Sequence, residues 1–123
     1  MKLRIKGNTI RLRLTQSEVD TFKKMGEITE HLNFGENSLK YSLKKSDKHV
    51  ISASFKQNLI TVHIPSPLAE KWTNSDLVGL DNTNELNGEI EGENYILVEK
   101  DFQCLHKRPM EDETDNYPHP LNT

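Results

Sequence analysis

The chain has 123 residues, of which 33% are apolar and 28% charged, with a single cysteine. That length suits one domain around one core, and one cysteine excludes an intrachain disulfide framework. No apolar run approaches the roughly 20 residues that span a bilayer, and Met1-Lys2-Leu3-Arg4 leads into alternating charge instead of a signal-peptide core. A cytoplasmic protein without a membrane partner is therefore expected. The net charge of -3 conceals a split, because residues 1–72 carry +6 and residues 73–123 carry -9. Such a split fits a nucleic-acid-binding face with an acidic tail, or two halves that fold against each other and neutralise.

Residues 1–14 alternate charged and apolar side chains about Gly7-Asn8, which predicts a tight hairpin. The register sets Ile5 against Ile10, Arg4 against Arg11, Leu3 against Leu12 and Lys2 against Arg13. One face is then Leu3, Ile5, Ile10, Leu12 and Leu14, and the other is Lys2, Arg4, Lys6, Arg11 and Arg13. Like charges opposite one another destabilise a sheet, so something anionic, from the same chain, a partner or a ligand, should lie over the second face.

Thr15-Gln16-Ser17-Glu18 has the pattern of a capping box, and it predicts a helix to about Met25 that buries Val19, Phe22 and Met25 and stops at Gly26. A strand is expected over Glu27 to Leu32, then a turn at Asn33 to Asn37. Leu39, Tyr41 and Leu43 alternate with polar residues, and a polar run leads to a second strand over His49 to Lys56, which reads as a meander. Gln57-Asn58 predicts the next hairpin. It pairs Phe55 with Ile60, Ala53 with Val62 and Ile51 with Ile64 on a buried face, and Ser52 with His63 on the polar one. A Ser beside a His with no acidic orienter is weak grounds for catalysis.

Pro65-Ser66-Pro67 ends that strand and starts a short helix, capped by Ser66, that places Leu68 and Trp72 on the core. Residues 73–94 are rich in Asn, Asp, Glu and Gly, with short strands expected at Leu77 to Leu80 and Leu86 to Ile90. Tyr95 to Lys100 is a clear strand. The expected fold is α+β, mainly antiparallel β, as a rolled sheet or small open barrel with one helix after the first hairpin and a short second helix. Residues 1–105 form the β-rich domain, and residues 106–123 form an acidic tail.

Met1 to Leu14, together with Val98-Glu99-Lys100-Asp101-Phe102-Gln103-Cys104-Leu105, Arg108 and Glu111-Asp112, resembles a family of small bacterial proteins of unknown function. The resemblance implies a bacterial origin and a compact β-rich domain, and it carries no activity. That family's pattern favours Asn where this chain has His119.

The chain has no phosphate-cradling glycine loop, paired zinc spacing or nucleophile motif, so no cofactor is implied. Cys104, His106 and His119 are weak metal candidates at unrelated spacing, and no bound metal is expected. The dense constellation is Lys2, Arg4, Lys6, Arg11 and Arg13, where two guanidinium forks suit carboxylate or phosphate. It points to a non-enzymatic binding protein for an anionic ligand or nucleic-acid phosphates. The alternatives are an enzyme acting on a polyphosphate or phosphorylated substrate, and a structural domain in which Glu27, Glu30, Glu91, Glu99 and the tail acids cover the basic face.

Overall fold

The computed structural model describes residues 1–103 and 112–119. Eight strands and two helices follow one another as β1 (Lys2–Lys6), β2 (Thr9–Leu14), α1 (Gln16–Met25), β3 (Glu27–Asn33), β4 (Ser38–Ser46), β5 (Ser52–Lys56), β6 (Leu59–Pro65), α2 (Ser66–Thr73), β7 (Gly79–Asp81) and β8 (Tyr95–Lys100). The α+β class holds, with a helix after the first hairpin and a shorter one later. The strands divide between two four-stranded sheets, ordered β1-β2-β8-β7 and β3-β4-β6-β5, and neither closes into a barrel. Among the described residues no helix is long and apolar enough to cross a membrane.

Both hairpin registers are as the sequence predicts, with Arg4 opposite Arg11 and Phe55 opposite Ile60. The positive φ needed at the turns comes from Gly7 (54°) in the first, and from Gln57 (51°) and Asn58 (63°) in the second. The meander does not form. Instead of turning back onto β5, β4 pairs in parallel with β6, and β2 pairs in parallel with β8. Each sheet thus has a parallel pair at its centre and an antiparallel partner on either side. The segment from Leu86 to Ile90 forms only a bridge from Ile90 to Thr83.

The chain order repeats itself as two ββαββ halves, β1 to β4 and β5 to β8. Exchanging the halves turns the strand order of one sheet into that of the other. Over the hairpin and helix the correspondence is fifty residues, so Leu3 matches Ala53, Ile5 Phe55, Asn8 Asn58, Leu12 Val62, Leu14 Ile64 and Phe22 Trp72. Backbone bonds repeat as well. Tyr95 N–H donates to Asn8 O (3.1 Å) as Lys40 N–H donates to Asn58 O (2.9 Å), and Lys100 N–H donates to Val78 O (2.9 Å) as Lys45 N–H donates to Gly26 O (2.9 Å).

The helices meet on this pseudo-twofold axis. Phe22 and Trp72 pack edge to face with ring centroids 6.2 Å apart. Lys45 Nζ lies 5.9 Å from the Phe22 centroid, and its counterpart Lys100 Nζ lies 6.0 Å from that of Trp72. Trp72 is fully buried, and its indole N–H donates to Val78 O. The capping box of α1 forms, and Gly26 ends the helix at φ 78°. Met25, by contrast, faces solvent, because α1 ends before another apolar surface can cover it. Ser66 does not cap α2. Its hydroxyl donates to Ser46 O, and Pro65 stands at the cap position.

Burial grades along the sandwich axis. Leu12, Leu14, Val62, Ile64, Leu43 and Val98 are buried toward the helices, whereas Ile5 and Phe55 are 58% and 67% exposed at the hairpin tips. The expectation that Ile5 and Phe55 are core residues is therefore corrected. They point to the inner side, but among the described residues nothing fills the space between the sheets at that end.

Residues 112–119 pack against the body. Asp115 O accepts from Gln16 N–H, Tyr117 N–H donates to Asp101 O, and the Phe102 and Tyr117 rings lie 5.7 Å apart.

The gradient of burial sets opposite expectations for the two aromatic positions. Trp72→Ala should cost about 3–5 kcal/mol as a core truncation, and Phe55→Ala less than about 1 kcal/mol. Urea unfolding of both variants measures the contrast, and comparable losses would contradict the assignment of the two ends.

Candidate functional site

The outer face of the first sheet carries the five predicted cations, and β8 brings acids to them. Parallel register sets Glu99 beside Arg13, diagonal to Arg11. Arg11 Nε donates to Glu99 Oε1 at 2.6 Å, and its Nη2 contacts the same oxygen. Arg13 Nε lies 3.7 Å from that oxygen. Just past β8, Asp101 continues the ladder by donating its N–H to Leu14 O. Its carboxylate is buried, 3.1 Å from Lys2 Nζ and 4.0 Å from Arg13 Nη1. Two carboxylates thereby engage Lys2, Arg11 and Arg13.

Arg4 and Lys6 differ. Both are exposed, and among the described residues neither makes an ion pair. With Thr9, Arg11 and Leu97 they line a shallow cavity of about 270 Å³. Glu99 fixes the Arg11 guanidinium, leaving Arg4 and Lys6 to supply uncompensated charge beside it. Across the sheet, Tyr95 O–H donates to Asp81 Oδ2 at 3.2 Å. Burial, then the Asp81 charge, hold the Tyr95 phenol above its ordinary range.

Among the described residues, several acids of the expected layer are engaged elsewhere, and Glu111 of the tail lies outside the described residues. Glu30 and Glu18 contact the Met1 α-ammonium, and Asp115 accepts from Ser17 at the start of α1. Glu27 faces Lys44 in the other sheet. Glu99 belongs to the expected layer and does cover the cations. Asp101 was no part of that expectation. Its only sequence signal is its position directly after the alternating strand 95–100.

Cys104 and His106 lie outside the described residues. Among the described residues no group of three His, Cys, Asp or Glu side chains could hold a metal.

On the outer face of the second sheet, His63 is opposite Ser52 as predicted, yet its Nε2 lies 3.3 Å from Ser54 Oγ, while Ser52 Oγ is buried without a hydrogen-bond partner. No carboxylate among the described residues hydrogen-bonds the imidazole. Burial, followed by Lys48, Lys44 and Lys56, pushes the His63 pKa below its ordinary value. The ring faces a hydroxyl with no acidic orienter among the described residues, an arrangement that lacks the third member of a catalytic triad.

This has a pH signature. Below the ordinary value of 6.5 the unfolded chain takes up a proton that folded His63 resists, so stability is full above that pH and declines as pH falls toward the folded pKa. His63→Gln should flatten the urea midpoint across that window. An unchanged slope would mean that the imidazole is not perturbed.

No curated protein and no solved structure matches the chain. A family profile does, over residues 1–121, and on that coverage the chain belongs to a family of unknown function (DUF7009).

Proposed function

We propose that this is a non-enzymatic binding protein whose Arg4, Lys6, Thr9 and Arg11 cavity takes the phosphate or carboxylate group of an anionic ligand. The observation that carries the reading is the incomplete neutralisation of the basic face. Glu99 and Asp101 balance Lys2, Arg11 and Arg13, while Arg4 and Lys6 stay unpaired among the described residues at a concave spot. Guanidinium forks and an ammonium offer several charge-assisted donors to one anion, and the Thr9 hydroxyl adds another. Engagement of three of the five cations leaves a compact site and favours a small anion over a long nucleic-acid backbone, which needs many free phosphate contacts. The proposal includes a bacterial cytoplasmic setting, supported by the single Cys104 and by the resemblance of both chain ends.

Binding of tripolyphosphate, followed by calorimetry, tests this. Arg4→Ala combined with Lys6→Ala should weaken it at least about tenfold, because two charge-assisted contacts are lost. Glu99→Gln should strengthen it, since Arg11 and Arg13 regain free charge, and affinity should fall between about 50 and 200 mM salt. Equal binding by the wild type and the double variant would move the site elsewhere. Failure of the wild type to bind would leave a domain whose basic face is structural.

A further inference from the structure

The cavity at Arg4, Lys6, Thr9 and Arg11 measures about 270 Å³, below the about 300–1,000 Å³ of sites that enclose a whole small molecule. Whatever carries the anionic group therefore extends out of it across the outer face of the first sheet. The registers fix what it meets there. Successive rows across β1, β2 and β8 are Lys6, Thr9 and Tyr95, then Arg4, Arg11 and Leu97, then Lys2, Arg13 and Glu99. Asp81 of β7 continues the second row beyond Leu97. Toward the third row, Glu99 and Asp101 already balance the cations, and further negative charge would meet two carboxylates. Beyond the first row is the Gly7-Asn8 turn, and on the side of β1 the sheet ends. Toward β8 the surface is Leu97 and the phenol ring of Tyr95, both half-buried, with no charge in these two rows until Asp81.

Tyr95 is tethered at that place. Its O–H donates to Asp81 Oδ2 at 3.2 Å, and Asp81 Oδ1 accepts from the backbone N–H and the hydroxyl of Thr83 at 3.0 and 2.6 Å. The phenol is also within electrostatic reach of the cavity wall, because Arg11 opposes part of the rise that burial and the Asp81 charge impose on it. A ring held in this way offers a flat apolar surface that loses little freedom when something stacks on it. The scaffold does not demand it. In the other half of the repeat, the positions equivalent to Arg4, Arg11, Tyr95 and Leu97 are Ser54, Thr61, Lys40 and Ser42. The second sheet has neither the guanidinium pair nor the ring, so the two occur together only on the face that carries the cavity.

We infer that the ligand is a mononucleotide, with its phosphate between Arg4, Lys6 and Arg11 and its base over Leu97 and Tyr95. The inference rests on the anion-binding function proposed above and names the class of ligand that site takes. Lys6 and Tyr95 are two strand spacings apart, about 10 Å, a span that a mononucleotide covers from its phosphate to the far edge of its base. Stacking on an aromatic side chain suits any base, since every base has a π face. The order of charge across the sheet matches as well. Cations stand at the phosphate end, and at the base end Asp81 keeps acceptor capacity for an exocyclic amino group. A nucleic-acid strand fits less well, because one ring and two unpaired cations among the described residues serve one nucleotide, and a following phosphate would meet Glu99 and Asp101.

Adenosine monophosphate is the probe, with ribose 5-phosphate, adenosine and tripolyphosphate beside it, followed by calorimetry on the full chain. The monophosphate should bind at least about tenfold more tightly than ribose 5-phosphate, which lacks the base, and than adenosine, which lacks the phosphate. Tyr95→Ala should bring it down to the level of ribose 5-phosphate while leaving tripolyphosphate binding unchanged, which also reports that the variant is folded. Tyr95→Phe keeps the ring and should retain most of the advantage. Suppose tripolyphosphate binds, but the base adds nothing over ribose 5-phosphate, adenosine alone binds as tightly, or Tyr95→Ala binds adenosine monophosphate as the wild type does. The mononucleotide is then overturned and the anion site stands. If the wild type binds none of these probes, both readings fall. A short oligoadenylate that binds far more tightly than adenosine monophosphate would make the occupant a nucleic-acid strand, which also overturns the inference.

Discussion

The parallel pairing of β2 with β8 joins residues 9–14 to residues 95–100, and a parallel pair can form only when the intervening chain crosses over and returns. Here the crossover contains the whole second sheet. The pairing buries Leu12 against Val98 on the inner side and, by the same register, sets Glu99 beside Arg13 on the outer side. Because side chains alternate strictly along a strand, core packing and neutralisation cannot be adjusted separately. A one-residue slip of β8 would bring Glu99 into the core and turn Val98 toward the arginines. The placement of the acids is therefore enforced by the hydrophobic match and does not depend on the attraction between the charges alone.

The same constraint operates in the other sheet with different chemistry. Leu43 and Val62 repeat the Val98 and Leu12 pair, but the outer positions corresponding to Arg11 and Arg13 are Thr61 and His63, and the one corresponding to Glu99 is Lys44. The duplicated scaffold thus presents one face of guanidinium and carboxylate and another of hydroxyl and imidazole. The inner positions remain apolar in both halves, as a shared core requires, and the outer ones have diverged.

Local pattern made much of this legible in the sequence. Gly7-Asn8 and Gln57-Asn58 fix turns by their backbone demands, and Thr15 with Glu18 fixes the start of α1 through bonds within one helical turn. These signals involve neighbours in the chain. The parallel pairings leave no such signal, since nothing in Ile96 or Val98 says which distant strand they join, and the meander was the simpler inference for β4 and β5. Phe55 illustrates a second limit. Its alternation correctly assigned the inner side of the sheet, but exposure depends on whether anything lies across from it, and periodicity is blind to that. The basic face was readable as a cluster; its division into engaged and free cations depended on where β8 came to rest. The internal repeat was hidden because its two copies share polarity at inner positions but few residue identities.

The order of the strands also bears on how the chain acquires its structure. The central pair of the second sheet joins Leu43 to Val62, nineteen residues apart, whereas that of the first joins Leu12 to Val98, eighty-six apart. Closing the longer span costs about 1.3 kcal/mol more in chain entropy, and its contacts give nothing back until the last strand arrives. On a ribosome the β3-β4-β6-β5 sheet can be complete while β8 is still being synthesised, and until then β1 and β2 wait with their apolar side open and their arginines unbalanced. The late-made strand, with Glu99 and the Asp101 that follows it, ends that interval. Its arrival with Asp101 covers a bare sheet edge and gives Lys2, Arg11 and Arg13 their carboxylates in one step, so the first sheet is expected to complete after the second.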